Sequence, residues 1–372
     1  MKILLLFFIL LFFLSCVEEK KISISGKVVK IGVMAPLSGV YKRFGLQSLD
    51  GLLASNKIYP YLENGDKIIF EIIDTNSTSS GAKNALNTLI KNNSKIILSF
   101  SVSNNMLSLK EEIQKIDIPI IATLATDNDI TNLGNNVYQV CMSNKTQTLV
   151  ASHYIIDEKF LTNVAVLYTK KSHYSSSLAN DFKSYFVNLG GNIKFFKNIS
   201  SISTNNINKI LNSDIDFVYL IADAKSSIEI IEKIHKIDKN IEILGSDGLL
   251  SYSLQPHINV AMVLEGVYVV EHYAKPTRND KKMKLLQSFL MDKSLYGSSY
   301  TFLAYDGYKL LIDSLNICKD AISDRCINVV LENSDVVEGI YGNFSMIDAK
   351  VKREVYVDKI INSQLHKEII TY

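Results

Sequence analysis

The 372-residue sequence has no tryptophan, only four cysteines and no surplus of charge of either sign. Without tryptophan, its nineteen tyrosines read as core and surface packing rather than as an aromatic platform for sugars. Forty Lys and Arg stand against 38 Asp and Glu, with no long block of one sign. Phosphate neutralisation needs a clustered basic face, so nucleic acid is excluded as a partner. Beyond Leu14 no apolar run approaches the ~18 to 20 residues that a membrane-crossing helix requires. Enzyme signatures are missing as well: there is no G-x-S-x-G, no H-E-x-x-H, no P-loop and no G-x-G-x-x-G. The histidines, at positions 153, 173, 235, 257, 272 and 366, have no close ligand-type spacing. No catalytic residue, cofactor or metal site is expected, although a metal site assembled from distant residues stays open.

What is present begins at the N-terminus. Met1-Lys2 precede an unbroken apolar run from Ile3 to Leu14, followed by Ser15-Cys16 and the polar Glu18-Glu19-Lys20-Lys21. The run is too short to span a bilayer and reads as a secretory leader. A cysteine after a small residue resembles the lipobox of bacterial lipoproteins, although the usual leucine three residues before it is here Phe13, and Leu14 lies one position later. Residues 1–15 are therefore expected to be a lipoprotein signal peptide, Cys16 the lipidated mature N-terminus and 16–26 a tether. Each buried methylene contributes about 0.8 kcal/mol, and two acyl chains hold far more firmly than one. The alternative is a leader cut elsewhere, with Cys16 discarded.

Cys318 and Cys326 lie eight positions apart around a polar stretch, which in an exported chain favours a local disulfide, the alternative being two thiols. Cys141 has no nearby partner and reads as a small buried apolar residue.

From Val28 onward, short β-rich runs alternate with segments of helical period. Val28 to Ala35, Ile68 to Ile73, Ile96 to Leu98 and Ile118 to Ala122 are apolar at successive positions, as in strands covered on both faces. Ala82, Ala85, Leu86 and Leu89 form one helical stripe, and Met106, Leu109, Ile113 and Ile116 another. The rhythm returns with strands at Val164 to Tyr168 and Phe217 to Ile221 around a helix carrying Leu178, Phe182, Tyr185 and Leu189. Ala304, Tyr308, Leu311 and Leu315 mark a late helix, and Val355 to Ile361 a closing strand. The length suits about two domains of ~150 residues each. Two βαβ runs predict an α/β protein of two doubly wound parallel-sheet lobes with right-handed crossovers.

Lys30-Ile31-Gly32-Val33-Met34-Ala35-Pro36-Leu37-Ser38-Gly39, followed by Phe44-Gly45, resembles the opening of type I periplasmic binding proteins of the Leu/Ile/Val-binding family, the solute receptors of ABC importers. Ile118 to Thr126 resembles that family's "VPLISPSAT" segment. Gly190-Gly191, Ile243 to Gly248, Ala304 to Tyr308 and Gly339 to Phe344 follow in the family's order. The resemblance implies two lobes joined by a three-crossing hinge with a ligand between them. It places residues 27–140 plus 271–338 in lobe I and 141–270 plus 339–372 in lobe II. It further implies an exported, lipid-anchored protein at the periplasm or cell surface that binds an amino acid or small carboxylate and serves an ABC permease.

By the same resemblance, Ser103, Ala125 and Thr126 would cradle a ligand carboxylate, Asp247 would take its ammonium, and Tyr174 and Phe44 would wall the cleft. Each has a plain alternative: an N-cap for Ser103, a cap or turn for Thr126 and Asp247, a surface tyrosine and a core phenylalanine. The family's "GPLSS" loop is here Ser99-Phe100-Ser101-Val102-Ser103, and the glycine after its tyrosine is Ser175. The altered loop keeps a rival open: a ligand-free envelope lipoprotein of the same fold, such as the activators of peptidoglycan synthases. A third possibility is a sensor that presents its ligand to a receptor kinase.

Overall fold

The computed structural model describes residues 24, 26–251, 262–273, 281–291 and 298–371. Cys16 and the leader lie outside them.

The first strands are β1 (Val28–Ala35), β2 (Lys67–Asp74), β3 (Ile97–Ser99), β4 (Ile120–Ala122) and β5 (Val137–Gln139). Then come β6 (Asn163–Tyr168), β7 (Asn192–Asn198), β8 (Phe217–Ile221), β9 (Glu242–Gly245) and β10 (Tyr268–Glu271). The last five are β11 (Val337–Gly339), β12 (Gly342–Ile347), β13 (Lys350–Lys352), β14 (Val355–Ile361) and β15 (Gln364–Thr371). They build two sheets, ordered β11-β12-β13-β5-β4-β3-β1-β2 and β15-β14-β10-β9-β8-β6-β7. The inner pairings are parallel, and antiparallel strands extend one edge of each sheet.

Alternation along the inner strands explains why their runs are apolar throughout. On β1, Ile31 and Val33 face one core and Met34 the other. On β8, Phe217, Tyr219 and Ile221 pack one way while Val218 and Leu220 pack the other. Helices cover both faces, so each such side chain is removed from water, a gain of roughly 1.5–3 kcal/mol for the larger ones. Helix Lys42–Ile58 packs beside helix Ser299–Ile317 in the first lobe, and helix Asn144–His153 beside His173–Asn188 in the second. The stripe Met106, Leu109, Ile113, Ile116 forms two short helices, Ser103–Leu107 and Lys110–Ile113. Ser108 Oγ donates to the Asn105 carbonyl at 2.7 Å between them, a local bond of the kind that competes with helix continuation.

The chain passes between the sheets after β5, after β10 and between β13 and β14. The third passage corrects the expected 338/339 boundary: it falls between Lys352 and Val355. Gly339 to Gly342 is the turn of a hairpin inside the first sheet, with Val337 paired to Phe344, and not a link between lobes. Cys318 and Cys326 are joined by a disulfide, Cα to Cα 6.0 Å, at the corner between helices Ser299–Ile317 and Asp324–Glu332.

Two consequences are measurable. Cys326→Ser should lower stability by about 2–3 kcal/mol through the lost loop constraint, read as a lower melting temperature, and an unchanged melt contradicts it. Burial, with the charges of Asp358 and Asp247 adding to it, pushes Glu271 from 4.5 up to about 8. Burial likewise pushes Asp358 from 3.8 up to about 7. The folded chain then holds protons that the unfolded chain releases above its ordinary carboxyl range. These groups therefore cost stability progressively as pH rises from about 4 to about 8. Glu271→Gln should gain on wild type between pH 5 and pH 8 by on the order of 2 kcal/mol in denaturant melts, and a pH-independent difference contradicts it.

Candidate ligand-binding cleft

In each lobe the first strand is flanked by parallel partners on both sides, β2 and β3 beside β1, β7 and β8 beside β6. Loops leaving the carboxyl ends of such strands diverge and leave a crevice at the switch point. Here the two crevices face each other. They enclose a cavity of about 560 Å³ lined by residues that follow β1, β3 and β4 in one lobe and β6, β8 and β9 in the other. Helices Lys42–Ile58, His173–Asn188 and Ala224–His235 begin at its wall through Arg43, Tyr174 and Lys225. Their N-terminal N–H groups and dipoles give the cavity a bias toward anions. Gly45 allows the first of these helices to start so close to β1: a Cβ there would stand 2.2 Å from the Pro36 carbonyl oxygen.

Ser103 lines the cavity as the first residue of its short helix, whose cap position is Val102. Its hydroxyl does not cap; it accepts the Asp127 N–H at 3.2 Å, and its own proton has no acceptor among the described residues. Thr126 also lines the cavity, is 2 % exposed, and its Oγ1 has no partner among the described residues. The altered Ser99 to Ser103 loop thus still delivers Ser103 to the cleft, with Phe100 and Ser101 turned into the core. Ala125 is a correction. It is fully buried beneath the wall, and its carbonyl is taken by Gln139 Nε2 at 2.6 Å and the Cys141 thiol at 3.2 Å. Its neighbours Leu124 and Thr126 line the cavity instead.

Asp247 lies on the opposite side, 7 % exposed. Its Oδ1 accepts from Gln147 Nε2 at 2.9 Å and from the Tyr174 hydroxyl, and His272 Nε2 stands 3.6 Å from Oδ2. Burial alone would raise its pKa; the nearby His272 first, then donation from Tyr174 and Gln147, outweighs burial and holds the carboxyl below its ordinary value. Tyr174 is pushed well above the usual phenol range, by burial first and then by the Asp247 charge. On the facing wall, Phe44 packs edge-on to Tyr300 with centroids 4.8 Å apart, and Tyr41 is 6.1 Å from Phe44.

The lobes touch around this cavity. The His173 N–H donates to Asn104 Oδ1 at 3.1 Å, Asn128 Nδ2 to Asp181 Oδ2 at 2.7 Å, and the Tyr300 hydroxyl to the Asp247 carbonyl at 3.3 Å. Gln147, His272 and Tyr300 are site residues that the sequence did not reveal, since no motif or periodicity marks them. Among the described residues no group of three His, Cys, Asp or Glu is placed to hold a metal ion, and no helix is long and apolar enough to cross a membrane.

An α/β pair of lobes closing on a central cavity with anion-friendly and carboxylate-bearing walls defines a solute-binding protein. The family model described as "Periplasmic binding protein" matches residues 28–363, and the chain belongs to that family. Membership makes it an exported binding protein rather than a catalyst. Among solved structures, the leucine binding protein LivK of Thermotoga maritima is 21% identical with a TM-score of 0.81, covering 92% of this chain and 98% of that one. A solute binding protein from R. palustris in complex with 4-hydroxybenzoate is 16% identical with a TM-score of 0.81, covering 93% and 97%. LivJ of Streptococcus pneumoniae, in complex with isoleucine, is 18% identical with a TM-score of 0.79, covering 92% and 99%. No curated protein sequence matches this one.

Tyr174→Phe removes one of the donors that hold the Asp247 charge. The Asp247 carboxyl should then titrate at a higher pH than in wild type, read by carbon NMR, and an unmoved titration contradicts the role given to Tyr174.

Proposed function

We propose that this protein is the lipid-tethered receptor of an ABC importer and that it closes on an α-amino acid or a related small carboxylate. The observation that carries this reading is the pairing, in one cavity, of the Ser103 and Thr126 hydroxyls beside helix N-termini with the buried Asp247 carboxylate of the other lobe. A zwitterion fits both walls: its carboxylate takes the hydroxyl donors, and its ammonium completes Asp247, whose charge would otherwise stay buried at a cost. Because the two contacts lie on different lobes, only the closed arrangement makes both, so ligand binding favours closure and the surface offered to a permease. The relatives whose titles name leucine, isoleucine and 4-hydroxybenzoate support a small carboxylate as the common element. A hydroxylated aromatic acid would use its hydroxyl as the donor to Asp247 in place of an ammonium. Tethering rests on the apolar run ending in Ser15-Cys16. The ligand-free reading draws on the missing glycine and proline of the Ser99 to Ser103 loop, but it has no use for an open cavity of about 560 Å³.

Calorimetry against amino acids, amides, benzoate and 4-hydroxybenzoate should find at least one tight ligand, and silence across the panel contradicts uptake. For a zwitterion, Asp247→Asn should weaken binding by about 100-fold or more, the scale of a broken buried charge pair. Benzoate should change little, and equal loss of both refutes the role of Asp247.

A further inference from the structure

The cleft and the hinge meet at one side chain. His272 follows β10 directly, in the second passage between the lobes, and is 2 % exposed. It lines a separate hinge cavity of about 210 Å³ together with Tyr273, Asp306 and Arg353. Its Nε2 is 3.6 Å from Oδ2 of Asp247, on the floor of the cleft. Its Nδ1 accepts the backbone N–H of Met142 at 3.3 Å, in the first passage.

The next residue continues the linkage. The Tyr273 hydroxyl accepts from Arg353 Nη1 at 2.5 Å, in the third passage, and donates to Asp306 Oδ2 at 2.7 Å, on helix Ser299–Ile317 of the first lobe. Arg353 also pairs with Asp306 at 2.9 Å. The three passages are thus tied to one another, and through His272 to the carboxylate that faces the cavity.

The roles of the ring nitrogens follow from their partners. A nitrogen that accepts carries no proton, so the hydrogen of His272 sits on Nε2, pointing at Asp247. The ring stands 3.6 Å from Asp247 Oδ2, and the Asp247 side chain still lines the cavity. A displacement of the carboxylate toward the cavity draws on a ring that is fastened at its other nitrogen to Met142.

We infer that His272 is a positioning residue that couples the state of Asp247 to the balance between open and closed lobes. The inference rests on reading the cavity as a solute site, but its test needs no ligand. Two substitutions separate the bonds of the ring. His272→Asn sets an amide oxygen near the place of Nδ1 and removes the Nε2 group that faces Asp247. His272→Gln sets an N–H near the place of Nε2 and drops the acceptor for Met142.

Spin labels at Lys91 and Lys209, exposed residues on opposite lobes, report the closed-to-open ratio of the ligand-free protein by pulsed electron resonance. Asp247→Asn should change this ratio by about threefold or more in the wild-type background, the size expected for coupled neighbours. The change should vanish in both the His272→Asn and the His272→Gln backgrounds. Persistence in either background overturns the inference, as does no change in wild type. A simple local contact between the two side chains would survive in the His272→Gln protein, so that variant separates relay from packing. Failure of the solute panel would remove the transport reading and leave this cycle intact.

Discussion

A carboxylate held out of water at the junction of two lobes is the constraint around which the rest of the structure is arranged. Asp247 keeps its charge because polar groups from three separate segments converge on it: Gln147 of helix Asn144–His153 and Tyr174 of helix His173–Asn188 donate hydrogen bonds, and His272, in a passage between the lobes, stands 3.6 Å away. An unpaired buried charge costs several kcal/mol, so these groups fix where those elements must lie relative to β9. The backbone N–H of Asp247 also donates to Gln147 Oε1 at 2.9 Å, so the Gln147 amide grips both ends of the residue.

The opposing wall has the reverse character. The start of helix Lys42–Ile58 and two small hydroxyl side chains present donors there, and the aromatic rings of Tyr41, Phe44 and Tyr300 supply an apolar body between the polar ends. A cleft with donors on one lobe and an acceptor on the other selects a molecule with two unlike ends, and it rewards closure only when both ends are engaged. The aromatic lining and the cavity size leave room for side chains well beyond the smallest amino acids.

Much of the fold is legible because inner strands buried on both faces must be apolar at every position. Val164 to Tyr168 and Phe217 to Ile221 stand out for that reason alone, and the structure places β6 and β8 there. The cleft was reached differently, through motif resemblance, which led to Ser103, Thr126, Asp247, Tyr174 and Phe44 on the cavity wall. It missed by one residue at Ala125, whose neighbours Leu124 and Thr126 line the cavity while it is buried beneath. It misplaced the last passage because a glycine-bounded hairpin and a link between lobes look alike in sequence. Gln147 and His272 gave no signal at all: Gln147 lies 100 residues from Asp247 and His272 lies 130 from Met142, and only the folded arrangement brings them together.

The central claim is that one small charged molecule bridges the two lobes between Ser103, Thr126 and Asp247. Native mass spectrometry of the gently purified protein, followed by release and identification of whatever mass it retains, tests this most directly. The account predicts a single carboxylate-bearing compound that rebinds to the emptied wild-type protein and is not retained by Asp247→Asn. A protein that carries no such compound, or one retained equally well without the Asp247 charge, would contradict it.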